Sequence, residues 1–166
     1  MKAFEELYQE YYPKLNAFLF NLCKDTHLAE ELTQETFYQA FISIHRFRSD
    51  AQVFTWLASI GKHVYYKYLR KNKLHIESIN LELFAGLHGG FNTEDTVQDR
   101  LAAERVREVI RTLPQKYIDV VVLRVYADLP FSQVAKALGI SENSAKVIFF
   151  RAKKKLMEEL DHASEL

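Results

Sequence analysis

The sequence predicts an all-α fold of two small helical domains joined by an acidic linker. Three observations carry that expectation. Only 5 Gly and 3 Pro occur in 166 residues, whereas strand-rich folds depend on many tight turns built from such residues. Apolar side chains recur at helical spacing through most of the chain. Residues 74–96 lose that period, hold three of the five glycines and contain no Lys or Arg. The expected boundaries are therefore a three- or four-helix bundle over 1–73, a linker over 74–96, and a second helical domain over 97–166.

Each element has its own signal. Phe4, Leu7, Tyr8 and Tyr11 are spaced i, i+3, i+4, i+7, and Leu15, Phe18, Leu19 and Leu22 repeat the spacing beyond Pro13. Proline can kink or restart a helix, so this stretch reads as one arm or two short helices. After Lys24-Asp25-Thr26, a second helix is expected to bury Leu28, Leu32, Thr36, Ala40 and Ile44. Ser49 followed by Gln52 has the capping-box pattern of a third helix, whose inner stripe would be Val53, Trp56, Leu57, Ile60 and Val64. Patterning resumes over 97–112, and Leu113-Pro114 opens another helix with Ile118, Val121, Val122 and Val125 facing inward. Two further segments, Ser132 to Leu138 and Glu142 to about Leu160, flank Gly139-Ile140-Ser141.

At 48% hydrophobic and 27% charged the composition is globular. No apolar run approaches the roughly 18 to 20 residues that span a bilayer, and the N-terminal stretch is acidic and tyrosine-rich, so neither signal peptide nor membrane insertion is expected. One cysteine, Cys23, cannot form an internal disulfide and suits a reducing cytoplasm. Six scattered histidines make no HExxH and no metal-ligand cluster, and neither a Gly-rich phosphate loop nor a G-x-S-x-G is present. The expectation is a non-enzyme with no metal, cofactor or small-molecule substrate.

The 22 basic and 22 acidic residues balance overall but separate along the chain. Residues 1–45 carry three basic and seven acidic side chains. Residues 56–75 carry Lys62, Lys67, Arg70, Lys71 and Lys73 with no acid. Residues 76–99 hold five acids and no Lys or Arg, and residues 136–155 hold six basic groups against Glu142. Each half thus contains one basic helix. Charge runs are commonly solvated helix faces, so the residues accompanying these charges decide their meaning.

In the C-terminal case the company is FSQVAKALGISENSAKVIFFRAKKKL, Phe131 to Leu156. Val134, Ala135 and Leu138 would pack inward, Gly139 would supply the positive φ of a tight turn, and Ser141 would cap a second helix anchored by Val147, Phe150 and Leu156. This is a helix-turn-helix pattern, in which the second helix lies in a DNA major groove. Glu142, Asn143, Ser144 and Lys146 would face base edges, while Arg151, Lys153, Lys154 and Lys155 are placed for phosphates. In the N-terminal case Trp56, Tyr65, Tyr66 and Tyr68 interleave with Lys62, His63, Lys67, Arg70 and Lys71, with Phe54 upstream. Cations following a phosphate backbone beside aromatic faces suit single-stranded or melted DNA. Trp56, on the apolar stripe, reads as core, and at least one of the three tyrosines should be exposed.

Glu31-Leu32-Thr33-Gln34-Glu35-Thr36-Phe37, then Phe47-Arg48, Phe54-Thr55-Trp56-Leu57, Tyr68-Leu69-Arg70-Lys71, Leu113-Pro114 and the helix-turn-helix together resemble an extracytoplasmic-function (ECF) sigma factor of the sigma-70 family. The resemblance spans nearly the whole chain in order. It implies sigma domain two and sigma domain four, binding to RNA polymerase core, and promoter-specific initiation through the minus-ten and minus-thirty-five elements with assisted melting. By that resemblance Leu32, Gln34, Glu35, Phe37, Tyr38 and Phe41 would dock the beta-prime clamp coiled coil. Phe54, Lys62, His63, Tyr66, Lys67, Arg70 and Lys71 would engage the unstacked minus-ten strand. Glu142, Asn143, Ser144, Lys146, Arg151, Lys153 and Lys154 would engage the minus-thirty-five element while the same domain meets the beta flap. The resemblance also implies an anti-sigma factor, which would hold a cytoplasmic protein at the membrane where it is itself membrane-bound.

The chain departs from the family pattern in three places. Lys62-His63 stands where an Arg-Asn pair is frequent, Lys67 where an acid is frequent, and Val147-Ile148 where a Ser-Arg pair is common. These bear on promoter preference, not on fold. From the residues alone, a stand-alone helix-turn-helix regulator binding duplex DNA stays open as an alternative, as does a polymerase-binding decoy without DNA contact.

Overall fold

The computed structural model describes residues 2–47, 52–74 and 97–164, and all regular structure among them is helical. Helix α1 (Lys2–Cys23) runs unbroken through Pro13. That proline lies on the exposed side, where water can satisfy the carbonyl its ring leaves without a donor. Helix α2 (Thr26–Ile42) starts at Asp25, whose side chain accepts the Leu28 N–H at 3.0 Å. It buries Ala29, Leu32, Thr33, Thr36, Phe37 and Ala40. The two threonine hydroxyls donate to the Ala29 and Leu32 carbonyls at 2.6 and 2.7 Å, so the buried face is fully bonded. Ile44, expected on the inner stripe, is exposed, because α2 ends at Ile42 and the 3₁₀ turn Ile44–Arg46 carries it away from the core.

Helix α3 (Val53–Lys71) begins later than the expected capping box. Gln52 occupies the cap without a side-chain bond, and Ser49 lies outside the described residues. The core of this half is Leu15, Leu19, Leu22 and Leu57, all fully buried. Gly61 faces this core with room to spare: a Cβ there would stand 3.5 Å from Leu15 Cδ1 and from Thr36 Oγ1, ordinary van der Waals contact. Cys23 is half-buried beside this core, its thiol pushed up by burial.

The second half comprises α4 (Val97–Thr112), α5 (Gln115–Val121), a π-helical turn (Val122–Tyr126), α6 (Phe131–Leu138) and α7 (Glu142–Ser164). Pro114 sits at the cap of α5, where a missing N–H costs nothing. Val106, Val120, Leu123, Val134 and Leu156 form the centre of its core. The Arg124 guanidinium stacks 4.2 Å from the centre of the Phe131 ring and donates to the Leu129 carbonyl at 3.1 Å, which fixes the entry into α6.

The two halves touch. The π-helical turn packs against α1 and α3, and α6 packs against α3. Helix α3 is consequently covered on two sides, and its buried set is wider than the expected stripe: Phe54, Thr55, Leu57, Ala58, Gly61, Lys62, Tyr65, Tyr66 and Leu69. Val53, Trp56, Ile60 and Val64 are only half-buried. Apart from Leu74, the expected linker lies outside the described residues.

Candidate nucleic-acid interface

Helix α6 ends where Gly139 takes φ 66° and ψ 35°, a left-handed conformation, and the Ile140 N–H closes the turn on the Ala135 carbonyl at 3.1 Å. Ser141 then caps α7, its Oγ accepting the Ser144 N–H at 3.0 Å. Small, buried Ala135 and Ala145 lie where the two helices meet. Helix α7 packs through Ala145, Ile148, Phe149, Ala152, Leu156 and Leu160, with the Phe149 ring edge-on to Phe131 at 5.4 Å. The expected anchor Leu156 is in place. Val147 and Phe150 are not anchors: both face solvent, because Ala145, Ala152 and Leu156 set a helical phase that turns Ile148 and Phe149 inward instead. Glu142, Asn143, Ser144, Lys146, Arg151 and Lys154 are exposed on α7, and Lys153 is half-buried. Lys146 and Glu142 pair at 3.6 Å across one exposed turn.

The basic helix α3 presents a different picture. His63, Lys67, Arg70 and Lys71 are exposed, whereas Phe54, Lys62 and Tyr66 are buried. Phe54 lies under the Lys14 ammonium, 4.1 Å from the ring centre. Lys62 is only 2% exposed, and its Nζ stands 3.5 Å from Asp119 Oδ1 on α5. The same oxygen accepts the Tyr66 hydroxyl at 2.8 Å and the Gln115 amide at 3.0 Å. Nearby, the Thr55 hydroxyl donates to Gln133 Oε1 of α6 at 3.1 Å, a second buried polar bond between the halves. As placed, Phe54, Lys62 and Tyr66 cannot reach DNA, because each is covered by neighbouring elements. Nor is any of the three tyrosines fully exposed: Tyr65 and Tyr66 are buried, and Tyr68 is half-buried.

These placements shape the titration of the junction. Burial lowers the Lys62 pKa, and Asp119 partly restores it. Burial, followed by the Asp119 charge and hydrogen bond, holds the Tyr66 phenol far above the usual range. His63 is lowered, first by partial desolvation and then by the Lys62 cation. His63, Arg70 and Leu74 on one side and Gln115 and Asp119 on the other line a cleft of 370 Å³. Sequence reasoning missed Asp119 and Gln115. The available hint was an acid set in the apolar run from Ile118 to Val122.

Two family patterns match. Residues 7–75 fit Sigma-70 region 2, and residues 103–156 fit Sigma-70, region 4. The chain is 31% identical over 156 residues to the ECF RNA polymerase sigma factor SigM of Bacillus subtilis, covering 92% of this chain and 91% of the relative. This chain belongs to the ECF RNA polymerase sigma factor family. Another relative, SigX of the same organism, is 32% identical over 96% of this chain and 84% of its own length. The sigma factor RpoE of Bartonella quintana, solved with the anti-sigma factor NepR, shares the fold at a TM-score of 0.59 and 20% identity, covering 97% of this chain and 98% of that one. CnrH, solved with the cytosolic domain of CnrY, does so at 0.58 and 21%, covering 97% and 89%. As a sigma factor the protein directs promoter-specific transcription initiation.

The sigma factor's region 2 also carries the surface expected to meet polymerase. On α2, Gln34, Glu35, Tyr38 and Phe41 are exposed, Tyr38 at 59%. Leu32 and Phe37 are buried. Phe37 is enclosed by the rings of Phe4, Tyr8 and Tyr12, so it and Leu32 support the surface from beneath and do not form it. Ile42 and Ile44 extend the exposed apolar patch, and sequence reasoning missed both as surface residues. Among the described residues no helix is long and apolar enough to cross a membrane.

Proposed function

We propose that the sigma factor reads the minus-thirty-five element with α7 and the minus-ten element with α3, while α2 docks the clamp coiled coil of polymerase core. The observation that carries this reading is the capped helix-turn-helix, which turns Asn143, Ser144, Lys146, Arg151 and Lys154 outward on one helix. Glu142 to Lys146 lie at the helix end that enters a major groove, and Arg151, Lys153 and Lys154 follow the phosphates. On α3, His63, Lys67, Arg70 and Lys71 supply the cations available to the minus-ten strand. Lys62 and Tyr66 join them only if the two halves separate, and Phe54 acts from the core. Tyr38, Phe41, Gln34 and Glu35 form the polymerase-facing surface, and the helix-turn-helix half meets the beta flap. A cytoplasmic anti-sigma domain would bind the same chain and compete for these faces.

Reconstitution tests this. Full-length protein with core polymerase is expected to give specific run-off transcripts from a genomic promoter pool, with protection at both promoter elements. Tight binding to a palindromic duplex without polymerase would instead support the stand-alone regulator. Tyr38→Ser with Phe41→Ser is expected to weaken core binding at least tenfold while leaving the fold intact, measured by competition with the unaltered protein; this magnitude corresponds to about 1.4 kcal/mol lost at an apolar contact.

A further inference from the structure

The exposed face of α7 has an organisation that cations alone do not explain. With 3.6 residues per turn, Asn143, Val147, Phe150 and Lys154 fall along the centre of the face opposite the buried Ala145–Ala152–Leu156 side. Lys146 and Lys153 flank that centre on one side, Arg151 and Lys155 on the other. Val147 is 37% exposed and Phe150 58% exposed. An apolar strip between two rows of cations is complementary to a DNA major groove, where phosphates run along both walls and the floor offers thymine methyl groups. We infer that Val147 and Phe150 are specificity-determining residues that read thymine methyls on the floor of the minus-thirty-five groove. The inference rests on the proposed role of α7 in minus-thirty-five recognition. It also gives a physical reason for Val147: a polar side chain there would prefer a hydrogen-bonding edge, whereas valine prefers a methyl.

The test uses holoenzyme reconstituted from the full chain and core polymerase on a promoter duplex taken from the run-off selection. Thymines of the minus-thirty-five element are replaced one at a time by deoxyuridine, which removes only the methyl group. Promoter binding is expected to fall about fourfold at each contacted position, the effect of one buried methyl. Val147→Ser and Phe150→Ser are expected to weaken binding to the thymine duplex and to abolish the difference between thymine and deoxyuridine. Both positions are exposed, so the variants should fold, and thermal unfolding checks this. The inference is overturned if deoxyuridine at every position binds as well as thymine, or if the serine variants lose equally on both duplexes, which would make them contacts to a protein. Lys146→Ala separates this failure from failure of the underlying reading. If it weakens upstream protection while deoxyuridine does nothing, α7 reads the element without Val147 and Phe150; if it and all the other changes leave upstream protection untouched, α7 is not the reading helix.

Discussion

Asp119 is one carboxylate serving three donors. It receives Lys62, Tyr66 and Gln115 on a single oxygen, and two of those partners belong to the other half of the molecule. Removing the acid leaves a buried ammonium without its counter-charge and a buried phenol without its carboxylate acceptor, whereas removing the lysine leaves the acid still bonded to Tyr66 and Gln115. Asp119→Ala is therefore expected to cost about 3 kcal/mol and Lys62→Met under about 1 kcal/mol, read from urea unfolding. Equal losses would show that the lysine itself carries the junction. His63 adds a pH dependence. Its folded pKa lies below the ordinary value because of desolvation and then the Lys62 cation, which Asp119 partly opposes and to which Arg70 adds a smaller lowering. The folded chain then binds fewer protons than the unfolded one, so stability is fully present above about pH 6.5 and falls as pH drops through the folded value. His63→Gln should flatten that decline in unfolding measurements taken on both sides of the window.

At the scale of the elements, two glycines do opposite work. Gly61 lies inside α3, and a Cβ there would meet its neighbours at ordinary van der Waals distance. Gly139 has open space around it but sits at φ 66°. Gly61→Ala is thus expected to raise stability by up to about 1 kcal/mol through helix propensity, and Gly139→Ala to lower it by about 1 kcal/mol through left-handed strain. Thermal unfolding of the two variants should move in opposite directions. The helix-turn-helix was legible in the chain because Gly139, Ser141 and Ala135 have local geometric duties that neighbouring residues reveal. The facing of α7 was not, because Val147-Ile148-Phe149-Phe150 is apolar at four consecutive positions and carries no phase of its own. Alanines on either side, Ala145 and Ala152, set the rotation through close packing. The buried side of α3 was illegible for another reason: Lys62 looks like a surface cation until Asp119, 57 positions further on, is brought beside it.

For the molecule as a whole, the packed arrangement and the proposed task impose different geometries. Thr55 of α3 and Gln133 of α6 are in hydrogen-bond contact, so the two halves proposed to read DNA lie side by side. Elements named for positions minus ten and minus thirty-five are centred about 25 base pairs apart, or roughly 85 Å at 3.4 Å per pair. One packed chain cannot engage both along a straight duplex. Between Leu74 and Val97 there are 22 residues, which at up to about 3.5 Å each can span a distance of that order. Opening would also expose Lys62 and Tyr66 next to His63 and Arg70, which line the same cleft. If α3 and α7 read the two elements as proposed, separation of the halves is a condition of initiation. Thr55→Cys with Gln133→Cys, in a chain whose Cys23 is replaced by Ala, joined by a short thiol cross-linker, should abolish specific run-off transcription while the same variant without cross-linker stays active. A cross-linked chain that initiates as well as the free one would show that the packed arrangement is itself competent, and that Lys62 has no part in reading DNA.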